Sequence, residues 1–234
     1  IADFLQAGGN AVFLFEPFSS APRLESFLGA HGLALGHDII IDQSNKIMGD
    51  DGLAPLIPLY AKGPITAGLT SAAVFPSAGS IQISRTPGEA QYLAMSAKTS
   101  WATRRKTDLA KGGIGFQEEI DRKGPLPVAG MVRVGASPET KDSSGGRIVL
   151  FGDSDFLGNS FFDLLANKDL FLNTVSWLVK DEALISIRKP QRKYSHQHMT
   201  HGQAFWIFLI CVVFAPSAAL LAGALSLGFR RWRG

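Results

Sequence analysis

The stretch RIVLFGDSDFLGNSFFDLLANKDLFLNTVSWLVK, residues 147–180, decides the fold. Arg147–Phe151 is a short, continuous apolar run, the pattern of a strand buried on both faces. Gly152-Asp153-Ser154-Asp155 then turns the chain. Phe156–Asn167 reads as a helix, and Asp169–Lys180 as a second one. Asp169 suits the N-cap or first turn, and Leu170, Val175, Leu178 and Val179 form an apolar stripe. Strand, tight turn and helix in that order belong to an α/β sheet with helices against its faces.

The opening of the chain repeats the pattern. Residues 1–7 read as the end of a helix, with Gly8-Gly9 as its left-handed cap. Ala11–Phe15 is a second buried run, ended by Pro17. Pro22–Ala30 reads as a helix with Leu24, Phe27 and Leu28 on one side, closed near Gly32. Ile39–Ile41 is the next strand, between Asp38 and Asp42. This alternation predicts a mostly parallel sheet flanked by helices, of amidotransferase-like or flavodoxin-like type. Val74–Phe75, Ile81–Ser84, Gln91–Met95 and Val128–Val134 are further strand candidates. Residues 97–124 read as a polar surface excursion, and 135–146 as a loop.

Composition agrees with a folded domain: of 234 residues, 46% are apolar and only 18% charged, which excludes disorder, collagen and coiled coil. One cysteine excludes an internal disulfide framework and a cysteine-based zinc site. The net charge of +3 is a property of the tail, because Arg230, Arg231 and Arg233 supply it and residues 1–229 are formally neutral. A high isoelectric point is therefore no argument for a nucleic-acid surface, and Arg104-Arg105-Lys106 stands among Asp108, Glu118, Glu119 and Asp121. The chain starts at Ile1 without a signal-peptide layout and is read as N-terminally truncated.

Ala204–Phe229 carries no charge, and its 26 residues would reach about 39 Å as a helix, enough for a hydrocarbon core of about 30 Å. Trp206 and Trp232 suit interfacial anchors, Pro216 a kink, and Cys211 lies inside. Ala215, Ala219 and Gly223, beside Ala218, Ala222 and Ser226, make small-residue rows for packing against another helix. The expected organisation is an α/β domain over 1–184, a basic linker over 185–203, a transmembrane helix over 204–229 and a basic tail over 230–234. In the linker, Arg188, Lys189, Arg192 and Lys193 either meet anionic lipid or solvate the segment. His196, His198 and His201 have metal-like spacing but no carboxylate or cysteine beside them, so no metal is expected there.

The string FGDSDFLGN, residues 151–159, is where a strand gives way to a helix, the edge at which open α/β sheets bind ligands. Asp153, Ser154 and Asp155 are the candidate ligand-binding residues. A GDSL-type hydrolase would use Ser154 as nucleophile, but no Asp-x-x-His follows to activate it. A haloacid dehalogenase would use Asp153 and Asp155, but only their spacing matches. An amidotransferase-like enzyme needs a nucleophile, and Cys211 falls in the apolar C-terminal stretch. In the simplest reading Gly152 makes the turn and an acidic or hydroxyl side chain caps the next helix. There is no GxxxxGK[ST] sequence for nucleotide hydrolysis.

ADFLQAGGNAVFLFEP, DIIID, GPITAGL and the 147–178 block together resemble the GldG-type, gliding-motility-associated auxiliary components of ABC transporters. The soluble domain of that family is similar to an intraflagellar transport subunit. The resemblance implies an α/β domain without catalytic residues or cofactor, partnered by a permease and a separate ATPase. It also implies the bacterial inner membrane, with the domain outside and the tail in the cytoplasm. Relatives usually carry an N-terminal membrane helix and further sequence before the Gly8-Gly9 segment. The expected function is a membrane-anchored, non-catalytic auxiliary subunit. The alternative is a tethered hydrolase or carbohydrate-binding protein working through the Asp153–Asp155 turn.

Overall fold

The computed structural model describes residues 1–45, 51–84, 90–109, 115–134 and 145–179, with 205, 206, 208–217 and 223 toward the C-terminus. The chain divides into two compact units, Ile1–Arg188 and Lys189–Gly234. The first opens with α1 (Ala2–Gln6), β1 (Asn10–Leu14), α2 (Pro22–Ala30), β2 (Leu33–Leu35) and β3 (Ile39–Ile41). Next come β4 (Leu56–Ile57), β5 (Leu59–Tyr60), β6 (Ala73–Val74), β7 (Ile81–Ile83), β8 (Gln91–Met95) and β9 (Trp101–Thr103). It ends with α3 (Lys106–Leu109), β10 (Arg122–Lys123), β11 (Pro127–Arg133), β12 (Arg147–Phe151), a 3-10 turn at Asp155–Leu157, and α4 (Asn167–Leu178).

The expectation of a mostly parallel sheet is corrected. The main sheet has five strands in the order β1-β12-β11-β8-β5. Only β1 and β12 run parallel; β12 with β11, β11 with β8 and β8 with β5 are antiparallel. Three small antiparallel sheets accompany it, β10-β9-β3, β2-β7 and β4-β6. The helix–strand alternation over residues 1–41 misled because α2 leads not to a parallel neighbour of β1 but to β2 and β3, which pair elsewhere. The apolar run at 11–15 forms an edge strand, half-buried along its length, with Leu14 exposed at its end.

The 147–151 run is a strand buried on both faces, as its composition requires. Val149 and Phe151 enter one apolar cluster with Phe75, Phe156, Leu170 and Trp177. Ile148 and Leu150 enter the other, with Leu5, Leu28, Leu33 and Ile81. Each such side chain contributes about 1.5–3 kcal/mol on burial, so β12 anchors both cores. α1 ends as its glycines imply, Gly8 taking a φ of +88°. The 97–124 stretch is not only a surface excursion, since β9 lies in it and all three of its residues are buried.

The helix expected over Phe156–Asn167 is replaced by a 3-10 turn and a series of tight turns. These are closed mainly by i to i+3 bonds, such as Phe161 N–H to the Gly158 carbonyl and Asn167 N–H to that of Leu164. The buried Asn167 explains the change. Its Nδ2 lies 3.3 Å from the Phe156 carbonyl and 2.9 Å from that of Phe161, acceptors that a helix would have used internally. The same side chain pairs with the backbone of β6, Oδ1 accepting from Val74 N–H at 2.7 Å and Nδ2 donating to its carbonyl at 2.8 Å. α4 therefore begins at Asn167, two residues earlier than Asp169.

The transmembrane span over 204–229 is also corrected. Among the described residues no helix is long and apolar enough to cross a membrane. The described residues there are helical, with Leu209–Phe214 wound as a π-helix. The assignment to the bacterial inner membrane with an extracytoplasmic domain, drawn from the resemblance, required that single C-terminal span and is corrected with it. Ala215 and Gly223 are helical and exposed, while Ala219 lies outside the described residues. So do Ala218, Ala222, Ser226, the 185–203 linker with its histidines and basic cluster, the 230–234 tail, and the 135–144 part of the expected loop.

Asn167→Ala removes the acceptor of the buried Val74 N–H and should lower the unfolding free energy by about 2–3 kcal/mol. Urea unfolding at an unchanged m-value measures it. A change below about 0.5 kcal/mol would show that water replaces the side chain.

Candidate functional site

The parallel pairing of β1 with β12 runs in register from Asn10↔Arg147 to Leu14↔Phe151 and continues as Phe15 N–H donates to the Phe151 carbonyl at 3.0 Å. Both strands therefore end at one edge. Glu16, just past β1, meets Asp153, Ser154 and Asp155, just past β12. One carboxylate oxygen from each of Glu16, Asp153 and Asp155 lies within 4.8 Å of the others.

Each member is held differently. Glu16 Oε1 accepts from the Ser154 N–H at 2.9 Å and from the Ser154 hydroxyl. Asp153 Oδ1 accepts from the Asp155 N–H at 2.7 Å, a local turn of the kind expected of a capping aspartate. Asp155 is exposed. Asp153 is fully buried, and its Oδ2 has no hydrogen-bond partner. Burial, reinforced by the charges of Glu16 and Asp155, pushes its carboxyl from 3.8 up to about 8, against the pull of the Asp155 and Phe156 amides.

The floor of the edge is closed by backbone. Gly79 N–H donates to the Gly152 carbonyl at 2.6 Å, and a Cβ on Gly152 would collide with the Gly79 carbonyl oxygen. Here glycine is required by close approach rather than by dihedral angle. The cavity beside the cluster, lined by Phe15, Glu16, Pro17, Phe18 and Asp38, holds about 10 Å³, the space of about one water.

The sequence reading is thus met in part. Asp153, Ser154 and Asp155 do sit together at a strand-end edge. Asp153 caps the turn, but the Ser154 side chain makes no cap and turns to Glu16 instead. Sequence reasoning missed Glu16. The available signal was an acidic residue directly after a buried strand, in FEP at 15–17. Among the described residues no histidine is hydrogen-bonded to Ser154: His37 lines the same cavity but pairs with Glu25 at 2.9 Å, and His31 packs on Phe27. In the basic trio, Arg104 donates to the Gly36 carbonyl at 3.0 Å, Arg105 pairs with Asp121 at 2.6 Å, and Lys106 lies over the Phe18 ring.

A second cavity, about 270 Å³, is lined by Lys62, Gln91, Arg133 and Trp177 among others, with no carboxylate in its wall. The indole Nε1 of Trp177 is buried without a partner.

No family model and no curated protein matches the chain. Among solved structures it is similar to one described as mmIFT52 N-terminal domain, at a TM-score of 0.53 and 11% identity, covering 76% of this chain and 68% of that one. At that identity the likeness is one of fold. It agrees with the expected similarity to an intraflagellar transport subunit at that level.

The buried carboxyl of Asp153 makes stability depend on pH. Its folded value, about 8, lies above its unfolded value of 3.8. The contribution is therefore fully present below the lower value and lost as pH rises through the upper one. In chelator, Asp153→Asn should gain on the wild type as pH rises from about 5 to about 8. Parallel stability curves for the two proteins across that range would refute the assignment.

Proposed function

We propose that the chain is a non-catalytic auxiliary subunit of an ABC-type transport system, of the GldG type, working alongside a permease and a separate ATPase. The observation that supports it is the contrast between the two cavities. At the strand-end edge, where an α/β enzyme would hold its substrate, there is room for about one water and a serine whose hydroxyl is bonded to a carboxylate. The larger cavity has Lys62, Arg133 and Gln91 in its wall beside Pro64, Met131, Val132 and the Trp177 ring, and suits an acidic side chain of a partner protein. The fold likeness to the mmIFT52 N-terminal domain supports the same reading, as does the sequence resemblance of the 147–178 block. A link to gliding motility belongs to the proposal only through that resemblance.

The test is co-purification of the tagged full chain in mild detergent after co-expression with an ABC permease and its ATPase. The expected result is a stoichiometric complex whose recovery drops at least about tenfold with Lys62→Glu/Arg133→Glu, since like charges at an interface suppress association. A chain that stays alone across detergents would overturn the proposal. So would substrate turnover by the purified chain that is lost in a folded Asp153→Ala/Asp155→Ala variant.

A further inference from the structure

We propose that Glu16, Asp153 and Asp155 form a binding site for Ca²⁺, a cross-link between the ends of β1 and β12. Three observations carry it. The first is convergence. Oxygens of three carboxylates lie within 4.8 Å of one another, and ligands about one Ca²⁺ at 2.3–2.6 Å are separated by at most about 5 Å. The second is the orphan oxygen. Asp153 is fully buried, its Oδ1 is taken by the Asp155 N–H, and its Oδ2 has no partner. Its acidic neighbours are carboxylates, which offer no hydrogen to an acceptor. The third is missing charge compensation. Among the described residues no ion pair involves Glu16, Asp153 or Asp155, although surface carboxylates elsewhere, such as Glu118 and Asp163, have lysine partners. A divalent cation, displacing the proton that the buried Asp153 carboxyl otherwise keeps, supplies both the partner for Oδ2 and a positive charge.

The surroundings select the ion. All three ligands are hard oxygens, and neither described histidine nor Cys211 joins them, which disfavours zinc. The ligands come from a strand end and a turn in an irregular arrangement, which Ca²⁺ tolerates and the strict octahedron of Mg²⁺ does not. Ser154 holds Glu16 Oε1 through its N–H and hydroxyl, fixing the carboxylate so that Oε2 can face the ion. This is the outer-shell support expected around a ligating carboxylate. Asp155 is exposed and Glu16 half-buried, so the ion enters from the Asp155 side. The site does not depend on the transport reading, and a chain that never meets a permease would still bind the ion.

The experiment is calorimetric titration of the EDTA-stripped full chain with CaCl₂ up to about 10 mM, well above the weak extracellular class of Ca²⁺ sites, together with thermal unfolding. The expected result is one ion per chain and a midpoint raised by about 5 °C at a hundredfold excess over Kd. Asp155→Asn and Glu16→Gln should each weaken binding at least about tenfold. Both are at least partly exposed, so their folding survives even if Asp153→Asn alters the buried core. Asp163→Asn, at a lysine-paired surface carboxylate, should change nothing. Absence of heat and of any midpoint shift would overturn the proposal. So would binding that is indifferent to Asp155→Asn and Glu16→Gln, or binding in which Mg²⁺ is held more tightly than Ca²⁺.

Discussion

The parallel pairing of β1 with β12 is the constraint on which the rest of the first unit depends. It joins residues 10–14 to residues 147–151, so most of the unit lies in the connection between two neighbouring strands, with α1 and α4 outside it. A parallel pair always needs a long crossover. Here the crossover carries β2 to β11, and it returns through β11, which pairs antiparallel with β12. Because β12 is buried on both faces, its alternate side chains enter the two separate cores. The register of one pair thus fixes both cores and the meeting of Glu16 with Asp153.

Buried aspartates show how the fold handles charge near that edge. Asp38 is satisfied three times, by the Ser80 N–H at 2.9 Å, the Ser80 hydroxyl at 3.0 Å and Arg122 at 2.6 Å. Asp42 accepts the N–H groups of Ser44 and Asn45, each at 3.0 Å, and the Thr99 hydroxyl at 2.8 Å. Asp121 holds Arg105 and the Gln117 N–H. Buried charge is tolerated only when paired or hydrogen-bonded, and these three obey the rule. Asp153 differs: one oxygen has no partner, and burial pushes its carboxyl up to about 8, which favours the neutral form. Local strand geometry does not require that exception, since Oδ1 alone makes the turn.

Sequence reading succeeded where one element decides its own state. RIVLF at 147–151, QYLAM at 91–95 and III at 39–41 are strands with the expected bounds, because β-branched and aliphatic runs between breakers have few alternatives. It failed where partners decide. Nothing in NAVFL states that β1 has one neighbour, and nothing in LAL at 33–35 names β7 as its partner. The turns over 158–166 failed for a related reason. Their apolar spacing is helical, but Asn167 captures the carbonyls of Phe156 and Phe161 from outside the segment. The candidate site was half legible. Asp153, Ser154 and Asp155 are adjacent in sequence, whereas Glu16 joins them from 137 positions away through a register that no local pattern encodes.

The same geometry bears on whether the edge does chemistry. A hydrolytic site needs a nucleophile, a base of suitable pKa and space for a tetrahedral centre. Here the serine hydroxyl donates to a carboxylate, His37 in the wall of the same cavity is paired with Glu25, and Gly79 presses on Gly152 so closely that a methyl group has no room. What the edge retains is three converging acidic side chains, one of them fixed by Ser154, and an unpaired buried oxygen. Such a set discriminates by charge and radius rather than by molecular shape. The proposed ion would satisfy it through charge alone, so an electrostatic cross-link is compatible with the small cavity at this strand-end edge.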